Sequence, residues 1–140
     1  MKKLIPIIPI LLLLSCGGSI RMIDEQQQAI VESQLPPMHP DGGQLCVCTT
    51  SGFGLSRAVT MEANGEHIGR LPGGSFFCVN LRPDDYIITA NCPTCPRRTL
   101  ETSIRQGRRR YMEISIGIEG MILQSVTQEQ GLSCMARRMR

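Results

Sequence analysis

From residue 44 to residue 127 the chain alternates between short apolar-rich runs and turn-forming residues. Runs of six to eight residues are separated every eight to twelve positions by Gly, Pro, Asn or Asp. That rhythm predicts strands packed as an all-β sandwich or barrel. The runs are 44–50, 57–63, 66–71, 75–81, 85–90, 99–105, 111–118 and 121–127. Asn64-Gly65, a pair that tolerates positive φ, predicts a tight hairpin between the second and third. In the seventh, Met112, Ile114, Ile116 and Ile118 alternate with Glu113, Ser115 and Gly117, so one face is predicted buried and the other wet. Cys46 and Cys48 are two apart, and on a strand both point to one face. Residues 24–34 have Ile30 and Val31 near one helical face, and Pro36 and Pro37 must end a helix there. The segment 128–140 reads as a short helix or frayed coil.

The first residues follow a different pattern. Met1-Lys2-Lys3 precedes eleven residues, 4–14, that are apolar if Pro6 and Pro9 are counted, and Ser15-Cys16-Gly17-Gly18 ends the run. This is the pattern of a secretory signal, and it falls short of the roughly 20 apolar residues a membrane span requires. Leu13-Leu14-Ser15-Cys16 resembles the lipobox of bacterial lipoproteins. The resemblance implies cleavage before Cys16, a signal peptide at 1–15, a diacylglycerol thioether on Cys16 and a further acyl chain, such as palmitate, on its amino group. Two or three chains anchor a protein stably. Gly17, rather than an acidic residue, points to the outer membrane facing the periplasm. Membrane partnership is expected through this lipid alone.

Composition changes the picture in two ways. Lys2 and Lys3 are the only lysines, so the processed chain carries 13 arginines against 12 acidic residues, a formal charge of about +1. With no Trp and few other aromatics, a nucleic-acid partner is not expected. Seven cysteines leave one over; with Cys16 acylated, Cys46, Cys48, Cys78, Cys92, Cys95 and Cys134 form up to three disulfides in an oxidising compartment, with connectivity open. The organisation expected is a tether at 16–43, a β-sandwich domain at 44–136 and a basic tail at 137–140.

The stretch from Val59 to Ala90 resembles the core of a group of small bacterial lipoproteins that carry a domain of unknown function. The shared elements are Asn64-Gly65, Ile68-Gly69-Arg70-Leu71, Gly74-Ser75-Phe76-Phe77 and Leu81-Arg82-Pro83-Asp84-Asp85-Tyr86-Ile87-Ile88, with similarity from Gln44 to Met135. Asp84 stands where the group favours Gly, and the cysteine content is unusual for it. The pattern is also similar to transthyretin-like and PEGA-like surface modules. These resemblances imply an Ig-like or transthyretin-like antiparallel β-sandwich of about seven strands in a bacterial cell envelope. A fold does not carry a function with it.

Residue types raise four chemical hypotheses. Cys92-Pro93-Thr94-Cys95 has CxxC spacing, which in a thiol–disulfide oxidoreductase sits at a helix N-terminus. The residues after it read as a strand, favouring a structural loop disulfide. Thiolates with His39 or His67 as zinc ligands lack the usual paired CxxC spacing. Arg105, Arg108, Arg109 and Arg110 around Gly107 offer bidentate donors for carboxylates or phosphates of lipid or cell wall, with a solvated turn as the plainer account; Arg137, Arg138 and Arg140 repeat the idea with less support. His39, His67, Asp84 and Asp85 have no nucleophile motif beside them. The expectation is a non-catalytic structural or protein-binding module with no cofactor besides the lipid and an envelope protein as partner.

Overall fold

A computed structural model describes residues 23–50, 58–117 and 120–139. Cys16, Arg57, Ile118 and Arg140 lie outside them. All eight apolar runs form strands, in keeping with the expectation of about seven: β1 (Gly43–Thr49), β2 (Val59–Ala63), β3 (Glu66–Leu71), β4 (Phe76–Leu81), β5 (Asp84–Asn91), β6 (Arg98–Ile104), β7 (Arg109–Gly117) and β8 (Gly120–Val126). Helix α1 (Glu25–Ser33) precedes them and α2 (Gln128–Arg138) comes after. The strands make two four-stranded sheets, ordered β4-β1-β7-β8 and β3-β2-β5-β6, stacked as a β-sandwich. Among the described residues every pairing is antiparallel except β1 with β7, which is parallel. A parallel pair needs a long crossover, and the chain between β1 and β7 supplies one by building the whole second sheet.

The core lies between the sheets. Leu45, Val47, Met112, Ile114 and Met121 meet Val59, Met61, Leu71, Ile88 and Ala90, all buried. A second, smaller core lies on the other face of the first sheet. There Val31 and Leu35 from the α1 region and Leu132 and Met135 of α2 cover Cys46, Cys48 and Tyr111. Strand β1 is therefore buried on both faces along its whole length. The tether expected at 16–43 is, from Ile23 onward, packed onto the sandwich. The wet face expected for β7 is likewise covered by helix at Tyr111, which is buried.

Local chemistry fixes the helices. Asp24 caps α1, its carboxylate accepting from the Gln27 N–H at 2.7 Å. Thr127 and Gln130 form a reciprocal capping box at the start of α2, so the tail is a helix rather than frayed coil. Gly131 sits in the middle of α2 because a Cβ there would lie 2.6–2.7 Å from Cδ1, Cβ and Cγ of Tyr111. Three disulfides are present: Cys46–Cys78 across neighbouring strands β1 and β4, Cys48–Cys134 joining β1 to the helical layer at α2, and Cys92–Cys95 within one loop. Cys46 and Cys48 share a face as expected, and that face is the one under the helices.

Candidate functional site

The β6–β7 connection, which passes from the second sheet to the first, places four arginines at one end of the sandwich. Arg105-Gln106-Gly107-Arg108 is a turn closed by the Arg108 N–H donating to Arg105 O at 3.2 Å, with Gly107 at φ +71°. The turn is also held from the side by the start of β1. Gly107 N–H donates to Gly42 O at 2.9 Å, and Gln44 N–H donates to Arg108 O at 3.0 Å. So close an approach requires Gly43, where a Cβ would lie 2.4 Å from Arg105 O and 2.6 Å from Ile104 Cγ2. Arg109 and Arg110 belong to strand β7 rather than to the turn, so the four side chains do not act as one group.

Arg109 points under the helices. Its Nε donates to Gln44 Oε1 at 2.7 Å, and its terminal nitrogens donate to Glu32 Oε1 at 3.1 Å and Pro36 O at 3.3 Å. Gln44 is fully buried, and its amide nitrogen donates to Pro36 O and Asn80 Oδ1. Arg109 therefore ties α1, the loop after it and β1 together. It is removed from the set expected to clasp an anion. Arg105, Arg108 and Arg110 are exposed. With Ser103 and Ile104 they line a recess of about 470 Å³, against which Arg109 also lies. Among the described residues the ion pairs are Arg109 with Glu32 and Arg97 with Glu62, so no carboxylate there neutralises Arg105, Arg108 or Arg110.

The six cysteines among the described residues are paired. Cys92–Cys95 closes the loop between β5 and β6, with Cys95 N–H donating to Cys92 O at 3.2 Å and Cys92 buried. The next element along the chain is strand β6, so the helix N-terminus that would depress a thiol pKa is replaced by a strand. Cys46, Cys48, Cys78, Cys92 and Cys95, whose thiolates would be the zinc ligands, are held in disulfides, and a disulfide sulfur is not the thiolate zinc takes. His39 accepts the Asp41 N–H through Nδ1, while His67 stands exposed on β3. Asp84 is the first residue of β5 and accepts the Asp85 N–H; Asp85 accepts Ser103 Oγ at 2.6 Å. In the tail, Arg138 donates to Thr49 O through Nε at 3.0 Å and a terminal nitrogen at 2.8 Å, fixing the end of α2 to the end of β1.

Sequence patterns missed Tyr111. Its ring carries α2, and its hydroxyl is buried without a hydrogen-bond partner among the described residues. Burial raises the Tyr111 pKa, Glu32 raises it further and Arg109 opposes. Tyr86 is also raised, by burial first and then by Asp84 and Glu66 against Arg82; its hydroxyl donates to Arg82 O at 2.7 Å. The only cue for Tyr111 was an aromatic residue at the wet parity of its strand.

The fold and its staples define a class: a disulfide-bonded β-sandwich with a helical layer on one sheet and an arginine-lined recess at one end. Comparison with known protein families finds no matching family, and comparison with curated proteins finds no match.

Proposed function

We propose that this chain is a lipid-anchored protein of the bacterial cell envelope, held to the outer membrane through Cys16 and facing the periplasm, with a non-catalytic structural or binding role. One observation supports this most directly. Cys46, Cys48, Cys78, Cys92, Cys95 and Cys134 are all used among themselves, which leaves Cys16, the cysteine of the lipobox-like Leu13-Leu14-Ser15-Cys16, as the odd thiol. Disulfides belong to oxidising compartments, which agrees with export. From Ile23 the chain is packed on the sandwich, so seven residue steps link the acylated sulfur's residue to the folded body. At about 3.4 Å per step that link reaches at most about 24 Å, keeping the domain close to the membrane surface.

The test is metabolic labelling with an alkyne-tagged fatty acid in a bacterial host, combined with mass spectrometry of the N-terminal peptide. The expected result is label on the wild-type protein, a mature chain beginning at acylated Cys16, and loss of both in Cys16→Ser. An unmodified thiol at position 16 with residues 1–15 still attached would overturn the reading.

A further inference from the structure

We infer that the recess formed by Arg105, Arg108 and Arg110 is a binding site for a phosphate group. Three observations converge on it. The three arginines line one recess with no carboxylate paired to them among the described residues. Their backbone is held before any ligand arrives, by the bonds from Gly107 to Gly42 and from Gln44 to Arg108, and by the close seat on Gly43. Arg110 is further oriented by donating to Ser103 O at 3.3 Å.

The neighbouring acids make no ion pair with these arginines among the described residues. Asp85 and Glu101 border the adjoining recess, which shares Ser103 and Arg110, and Asp85 is engaged by the Ser103 hydroxyl. Counting donors gives the ligand chemistry. A carboxylate has two oxygens in one plane and one charge, and a single guanidinium fork satisfies it; a phosphate has tetrahedrally arranged oxygens that forks reach from several sides, with up to two charges when free or a monoester and one in a diester headgroup. Because the site is open to solvent, its affinity falls as salt screens it over a Debye length of about 10 Å at 0.1 M. The phosphate has two sources in an envelope: a free phosphate compound, or the headgroup of an anionic lipid within reach of a short anchor. This inference rests on the binding-module reading, and it does not need the lipid on Cys16.

The experiment uses the processed chain from position 16 carrying Cys16→Ser, so that no acyl chain contributes. Inorganic phosphate is titrated while the arginine Nε–H signals are monitored by NMR. Sedimentation with phosphatidylglycerol vesicles and with phosphatidylcholine vesicles forms the second arm. The expected result is saturable shifts of Arg105, Arg108 and Arg110 but not Arg109, weakened by salt. Arg105→Gln, Arg108→Gln and Arg110→Gln together should reduce affinity about tenfold or more. Retention by phosphatidylglycerol vesicles alone assigns the lipid source, and phosphate binding without vesicle retention assigns the free compound. If the triple variant does not fold, Arg108→Gln at the exposed turn serves, with a smaller loss expected. Absence of both phosphate and vesicle binding, or binding unchanged in these variants, overturns the proposal. Neither outcome depends on whether Cys16 is acylated in cells, which the labelling experiment reads separately.

Discussion

At the residue scale, two positions carry information beyond their type. Gly131 lies inside a helix, where Ala is ordinarily better by roughly 1 kcal/mol. Here the Tyr111 ring and Cβ occupy the space a methyl would take. Gly131→Ala is therefore expected to destabilise by about 1–3 kcal/mol, as overpacking does, and chemical denaturation reads the sign. Tyr111 supports the helix with its ring while its hydroxyl lacks a partner among the described residues. Tyr111→Phe should leave stability unchanged or raise it by about 1 kcal/mol, whereas Tyr111→Ala should cost about 3–5 kcal/mol. The same side chain sets an alkaline limit. Its pKa is raised above 10.0 in the fold, so the native state holds the phenol proton longer than the unfolded chain does. The resulting stability is complete below pH 10 and is lost as pH rises through the folded value. Denaturation midpoints measured on either side of pH 10 should fall less steeply in Tyr111→Phe than in wild type.

At the element scale, arginines one position apart have opposite duties. Arg109→Leu leaves Gln44 and Glu32 without their donor and is expected to cost about 1.5–3 kcal/mol. Arg108→Gln, in an exposed turn, should stay within about 0.5 kcal/mol. Thermal melts of the two variants check the contrast. This division was not legible in the run Arg108-Arg109-Arg110, because strand parity decides which side chain goes under the helices and the helical cover itself left no trace in β7. The strands were legible, since turn residues and period-two alternation are local. The third strand, Glu66–Leu71, was found to the residue. What was hidden was non-local: the parallel seat of β7 beside β1, the docking of α1, and which cysteine meets which. Gln44-Leu45-Cys46-Val47-Cys48-Thr49 lacks polar alternation because both of its faces are buried, and only the assembled layers show that.

At the scale of the whole molecule, the staples differ in what they constrain. Cys48–Cys134 spans 86 residues and joins the helical layer to the central strand, whereas Cys92–Cys95 spans three. In the chain-entropy model the first is worth about 4–5 kcal/mol and the second about 2. Cys48→Ser with Cys134→Ser should lower the melting temperature far more than Cys92→Ser with Cys95→Ser. A redox enzyme built on Cys92 and Cys95 would be told apart by loss of thiol–disulfide exchange activity in the second variant.

Strand β1 emerges early in synthesis yet finds its neighbours late. It pairs with β4 and with β7, whose partners for Gln44 are Asn80 and Arg109. Its two thiols, two residues apart, take different partners, Cys78 and Cys134, far apart along the chain. Topology of this kind folds slowly, because distant segments must meet before contacts reward the loss of chain freedom. Cys46 can close on Cys78 once β4 is made, but Cys48 must remain reduced, or be freed from wrong pairings by an isomerase, until the last helix has been delivered.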